Sequence, residues 1–163
     1  MNNSDFLAIY DRYSDKIFRH LYFRIRDREL ALDLMQETFM KTFVYSKEKG
    51  SIESIQAFLY RVANNLMFDH FKKRKTDSLE KMQEEEGFMP SIDPSEKVKA
   101  KIDADTLLDM MGKIPEEYRA VIVMRYVDEL SITEIADALG ETENGVSVKI
   151  HRAIHKIRKF FPL

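Results

Sequence analysis

The chain contains no cysteine and no tryptophan, and only 5 glycines and 4 prolines among 163 residues. Without cysteine there is no disulfide framework, no thiolate zinc site and no cysteine nucleophile. With so little glycine and proline, few positions force a helix to stop. No apolar run approaches the roughly 18–20 residues a membrane-spanning helix needs, and no basic-then-apolar leader opens the sequence. The cytoplasm is the expected compartment, without membrane insertion. What is present is 44% hydrophobic and 33% charged residues, which fits a folded helical protein rather than a disordered one. The formal net charge of −2 argues against a protein that merely coats DNA electrostatically. Phosphates respond to charge within a Debye length of roughly 8–10 Å, however, so the distribution matters more than the sum.

The apolar period is helical along nearly the whole chain, which predicts an all-α fold. Phe6, Ile9, Tyr10, Tyr13, Ile17, Leu21 and Ile25 recur at three- and four-residue steps. Asp27 is placed to cap a second helix carrying Leu30, Ala31, Leu34, Met35, Phe39 and Phe43 inward, and Gly50 breaks it. Ser54 is placed to cap a third, with Ile55, Leu59, Val62, Ala63 and Leu66 on one face and a basic "KKRK" at its end. Residues 1–76 therefore have the stripes for a small core of their own. Residues 77–94 hold an acidic run, Gly87, Pro90 and Pro94 with little periodicity, which is linker composition. Asp93-Pro94 reads as a helix start, and residues 95–163 form a second helical block through Val98, Ile102, Leu108 and Met111 to Gly112, then from Pro115 onward. Two small helical domains on a flexible acidic tether are expected.

The sharpest local signal follows. Ser131 and Glu134 in "SITE" form a capping box, and Gly140 supplies the left-handed turn that ends the helix. Ala136, Gly140 and Val146 have the spacing of a helix-turn-helix: a small residue at the crossing, a turn glycine and a β-branched lock. The second helix runs from about Glu143 to Phe161 before Pro162, with Val146, Ile150, Ile154 and Ile157 inward. Lys149, Arg152, Lys156, Arg158 and Lys159 occupy its other faces. A solvated basic face is the plain alternative; the capping box and spacing favour DNA binding.

The third helix interleaves Phe58, Tyr60, Phe68 and Phe71 with Asn64, Asn65 and the basic cluster. Rings stack on unpaired bases while cations hold the backbone, so this helix suits opened DNA. Phe58 and at least one other ring are assigned to the core, whereas Asn64, Asn65 and Asp69 are read as surface groups facing base edges. His151 and His155 stand one turn apart but lack the further ligands zinc wants, so no metal or cofactor is expected. Glu29, Asp33, Gln36 and Glu37 share one helix without a pocket motif or nucleophile, which favours a protein-contacting face over catalysis.

Three segments in order, "DRELALDLMQETFMKTF", "FLYRVANNLMFDHFKKRK" and "IPEEYRAVIVMRYVDELSITEIADALGETENGVSVKIHRA", resemble successive signatures of bacterial sigma factors. The resemblance is to the small extracytoplasmic-function (ECF) group of the sigma-70 family, and it covers nearly all of the chain apart from the linker. It implies a non-catalytic factor that brings core RNA polymerase to promoters and helps open them. By that resemblance, Asp33, Leu34, Gln36, Glu37 and Phe39 match the docking helix for the clamp coiled coil of core polymerase. Asn65, Asp69, Lys72, Lys73 and Arg74 match the helix facing the −10 element, and Asn64, read above as facing base edges, is assigned to the same DNA contact. Ser51 lies in the loop, about Lys47 to Ser54, that matches the one capturing a flipped base. Ser147, Val148, Lys149, Arg152 and Lys156 match the −35-reading helix. Glu84, Glu85 and Glu86 of the linker suit a path toward the RNA exit channel. An anti-sigma partner is implied by many relatives.

Two departures stand out. Phe58-Leu59 replaces the family's frequent Trp-Leu, a change the core can absorb. Gly145-Val146-Ser147-Val148 replaces the usual polar and basic opening of the recognition helix, so either an unusual −35 preference or heavier reliance on −10 contacts is expected, with Val148 suited to a thymine methyl. Two other readings remain at this level: a stand-alone helix-turn-helix regulator dimerising through its first block, and an all-α metal-dependent hydrolase. The charge separation also admits a compact state in which the acidic linker or first block covers the basic helix.

Overall fold

A computed structural model describes residues 1–78 and 109–160, with side chains through Arg74 in the first of these segments. Most of the expected linker, including Glu84–Glu86, falls outside the described residues, as do Asp93-Pro94, Val98, Ile102, Leu108, Phe161 and Pro162. Every regular element among the described residues is a helix, without a strand.

Helix α1 spans Asn3–Ile25. Asn2 caps it reciprocally with Asp5: the Asp5 N–H donates to Asn2 Oδ1 at 2.8 Å and the Asn2 N–H to Asp5 Oδ2 at 3.2 Å. It ends on Arg26, a non-glycine residue in the left-handed region (φ 63°), whose N–H closes on the Tyr22 carbonyl at 2.8 Å. Helix α2, Arg28–Lys49, starts as expected on Asp27, which accepts the Leu30 N–H, and stops at Gly50 with φ 91°. Helix α3 covers Ile55–Ser78. Tyr13, Ile17 and Leu21 of α1 meet Leu34, Met35 and Phe39 of α2 and Leu59, Ala63, Leu66 and Met67 of α3 in one buried cluster. Each leucine, isoleucine, methionine or phenylalanine among them contributes roughly 1.5–3 kcal/mol when fully removed from water. Thr38 and Thr42 are buried in α2 without an orphaned hydroxyl, because they donate to the Leu34 and Thr38 carbonyls.

The second unit begins in helical residues 109–112 and continues with α4, Glu116–Ile122, entered through Pro115 and with Glu116 and Glu117 in its first turn. A π-helical turn, Val123–Val127, follows directly. Helix α5 is Ile132–Leu139, and α6 is Glu143–Phe160. Ile135, Ala136, Val146, Ile150 and Ala153 join Val121, Val123 and Met124 in its core.

The two units are not independent beads. Helix α3 packs along α5, and α1 packs on the π turn and α4, so the buried cluster runs through both units without interruption. Helix α6 packs principally on α4 and α5. Among the described residues, the contact is made principally by the first helix of the pair, the π turn and α4.

Candidate polymerase and nucleic-acid interfaces

Along α2, the residues matched to polymerase docking divide by helical phase. Asp33, Gln36 and Glu37 are exposed, while Leu34 and Phe39 are buried in the core. The outward stripe continues through Met40 (62% exposed) and Val44 (47% exposed), two apolar positions outside the docking match. Their signal was phase: positions 33, 36, 37, 40 and 44 follow the three- and four-residue step of a single face. An acidic and amide stripe with apolar anchors suits a basic partner helix. Phe39 supports it from beneath, against Tyr10 with ring centroids 4.9 Å apart.

Behind that stripe, α2 and α3 leave an open groove of about 620 Å³. Leu34, Glu37 and Lys41 line one wall, and Leu66, Asp69, His70, Lys72 and Lys73 the other. Residues assigned from sequence to two different partners therefore share one surface. Asn65, Asp69, Lys72, Lys73 and Arg74 are exposed. Of the four rings on α3, Tyr60 is fully buried, Phe58 and Phe71 are half-buried, and Phe68 is 64% exposed. Phe68 is thus the ring on this helix most open to stacking. Ser51 is exposed just past Gly50, at the start of the short α2–α3 loop, and Lys47–Lys49, expected in that loop, complete α2 instead.

Asn64 is a correction to the surface role read from sequence. It is 9% exposed, and its Oδ1 lies 2.9 Å from His20 Nε2 and also accepts from the Arg24 guanidinium. The reason is helical phase: position 64 lies one turn beyond Tyr60 on the inward face, whereas Asn65 is rotated about 100° away. His20 and Arg24 were missed as well. They sit three and seven residues after Ile17 on the apolar stripe of α1, and polar groups at core phase were the available sign. Arg24 engages Glu116 of α4, and His20 engages Asp128 at the end of the π turn. Burial pulls the Arg24 guanidinium below its ordinary pKa, with the Glu116 carboxylate opposing. Burial first, then the Asp128 charge, pushes the Tyr60 hydroxyl well above its usual range.

The helix-turn-helix has the geometry its spacing predicts. Ser131 and Glu134 close a capping box at 3.1 and 2.8 Å, and Gly140 sits at φ 66°, ψ 33°. Ala136 and Val146 are buried where α5 and α6 cross. Thr142 Oγ1 accepts the Gly145 N–H at 3.0 Å, and a Cβ on residue 145 would stand 3.1 Å from that oxygen. The unusual glycine therefore makes room for a threonine cap. Val148 and Arg152 are exposed on α6, and Ser147, Lys149 and Lys156 are half-buried. Lys149 pairs with Glu141, and the Lys156 ammonium lies 5.6 Å from the Tyr118 ring centre. His151 and His155 are both exposed, and no group of three metal-ligating side chains gathers among the described residues. Among those residues, no helix is long and apolar enough to cross a membrane.

A three-helix unit followed by a helix-turn-helix unit defines the class. Residues 9–76 match the family model "Sigma-70 region 2" and residues 104–157 match "Sigma-70, region 4". The chain is 31% identical over 163 aligned residues to the ECF RNA polymerase sigma factor SigW of Bacillus subtilis (strain 168), covering 94% of this chain and 87% of SigW. It belongs to the sigma-70 family and, within it, to the ECF sigma factors, which direct RNA polymerase to promoters. The fold is shared with the sigma factor RpoE of Bartonella quintana, solved in complex with the anti-sigma factor NepR (TM-score 0.74, 17% identity, 98% of both chains). It is shared also with CnrH, solved with the cytosolic domain of CnrY (TM-score 0.71, 21% identity, 99% of this chain and 90% of that one).

Proposed function

We propose that residues 1–76 dock core RNA polymerase and read and melt the −10 element, that residues 77–94 are the tether, and that residues 95–163 read the −35 element. The observation that carries this reading is the shared α2–α3 groove, which sets the acidic docking stripe beside Asp69, Lys72 and Lys73. A polymerase helix on Asp33, Gln36, Glu37 and Met40 then lies next to the strand that α3 holds. Lys73 and Arg74 neutralise phosphates, Phe68 stacks on an unpaired base, and Ser51 lies at the loop that receives a flipped one. Extrusion of a base costs a few kcal/mol, which such a fitted loop offsets. On α6, Arg152 and Val148 meet base edges, with Val148 against a thymine methyl, while Ser147, Lys149 and Lys156 position the helix on phosphates. The chain acts as an initiation factor rather than a catalyst, in the cytoplasm. The complexes recorded for RpoE and CnrH support an anti-sigma partner for this chain too.

Reconstitution with bacterial core polymerase and a library of promoter fragments tests the assignment. Gln36→Ala combined with Glu37→Ala is expected to weaken the complex with core about tenfold, equivalent to ~1.4 kcal/mol. No stable complex, or no effect of the pair, overturns the docking assignment. Lys73→Ala with Arg74→Ala is expected to lower the salt slope of promoter binding by about 1.4, at ~0.7 per single-strand phosphate contact. An unchanged slope removes these two residues from the DNA path.

A further inference from the structure

The two units meet over a buried polar cluster. His20 is fully buried, with Nδ1 2.9 Å from Asp128 Oδ2 and Nε2 2.9 Å from Asn64 Oδ1. Arg24 donates from Nε to Glu116 Oε1 at 2.8 Å, and its Nη1 lies 3.0 Å from His20 Nε2 while also donating to Asn64 Oδ1. The π turn is what delivers Asp128. The Asp128 N–H reaches back five residues to the Val123 carbonyl at 2.9 Å, and the following Glu129 takes a left-handed φ of 56°. Among the described residues, the two non-glycine positions with positive φ, Arg26 and Glu129, thus flank the cluster.

This cluster holds orientation without holding tightly. Arg24 Nη1, His20 Nε2 and Asn64 Oδ1 are mutually adjacent, and no tautomer or amide orientation pairs all three contacts as donor with acceptor. Asn64 Nδ2 and Asp128 Oδ1 have no hydrogen-bond partner among the described residues. A buried network left partly unsatisfied is weaker than an apolar contact of the same shape, and water satisfies every member once the units part.

The closed arrangement is also incompatible with reading two elements at once. Elements named −10 and −35 lie about 25 base pairs apart, some 85 Å at ~3.4 Å per pair. A compact chain of this length has a radius of gyration of about 15 Å. We infer that the His20–Arg24–Asn64–Glu116–Asp128 cluster is a releasable latch that keeps the free factor closed until polymerase and promoter separate the units. This inference rests on the sigma-factor reading of the same residues.

The natural absence of cysteine makes a direct test clean. The Arg61 guanidinium donates to the Asp137 carbonyl at 2.7 Å across the α3–α5 contact. The full chain carrying Arg61→Cys and Asp137→Cys is treated with a short bis-maleimide that has a reducible linker. Efficient intramolecular cross-linking is expected, with loss of at least tenfold in initiation from a promoter that the unlinked holoenzyme transcribes, and recovery on reduction. Asp128→Ala, added to the cysteine pair, is expected to slow cross-linking at least fivefold with helicity retained by circular dichroism; Glu116→Gln is the milder second variant. Failure to cross-link, full activity of the linked chain, or wild-type cross-linking by both variants overturns the latch. An unlinked chain that never joins core polymerase defeats the sigma-factor reading instead, and the latch with it.

Discussion

Tyr60 is fully buried, and its hydroxyl has no hydrogen-bond partner among the described residues. Such a group carries a desolvation penalty of about 1–3 kcal/mol that a ring of the same shape avoids. Its edge still meets the His20 ring, centroids 5.1 Å apart. Tyr60→Phe keeps that contact, and the expected outcome is a stability equal to or about 1 kcal/mol above the parent in urea unfolding. The pH dependence has a definite sign. The native state holds this phenolic proton more firmly than the unfolded state does, because burial and then Asp128 raise its pKa. Stability is therefore fully present below the unfolded phenol pKa of about 10 and declines as pH rises above it. Tyr60→Phe removes this residue's share of that alkaline decline; identical slopes in the two proteins would place the hydroxyl in contact with solvent. The neighbouring Asn64 marks what sequence conceals at this scale. Asparagine is ordinarily a surface residue, and only the phase of α3 against His20 and Arg24 turns it inward.

Helices were the most legible elements, because their ends are written in local chemistry. Asp27, Gly50, the Ser131–Glu134 box and Gly140 all act where their residue types imply. The π turn was not legible: Val-Met-Arg-Tyr-Val reads as a continuation of α4, and the turn's packing on α1 leaves no local mark in it. The start of α6 required the structure in a different way. Gly145 looks like a weak point in a recognition helix, yet Thr142 Oγ1 fills the space its side chain would take. Thr142→Ala is expected to cost about 1 kcal/mol through loss of the cap. Gly145→Ala gains about 1 kcal/mol of helix propensity but crowds the capping hydroxyl, so alone it is expected to be nearly neutral. In the Thr142→Ala background the same substitution is expected to stabilise by the full ~1 kcal/mol. A double-mutant cycle on thermal unfolding measures this, and strict additivity would mean that the two groups do not compete.

At the scale of the whole molecule, the division into a three-helix block and a helix-turn-helix block was readable from apolar periods alone. How the blocks meet was not, since amphipathic patterns record that a face is buried without recording against what. The sign lay in His20 and Arg24, two polar residues at core phase on α1, whose partners arrive from Glu116 and Asp128 about a hundred residues later. Those partners make cooperativity adjustable. With the units coupled through one continuous core, the parent chain is expected to unfold in a single transition. Asp128→Ala leaves His20 buried without its carboxylate and is expected to split that transition in two, because the units then open separately. The opposite substitution separates latch from scaffold. Replacing His20 and Asp128 together by leucine removes the pair most deeply buried at the contact, and such replacements are often neutral or stabilising by about 1–4 kcal/mol. If the polar cluster exists to let go, this double variant melts at or above the parent temperature while initiating more slowly, because separation now exposes apolar surface that water does not satisfy. Scanning calorimetry paired with a run-off transcription time course reads both quantities on one preparation. A variant that is more stable and equally fast would show that the contact never opens on the path to the promoter.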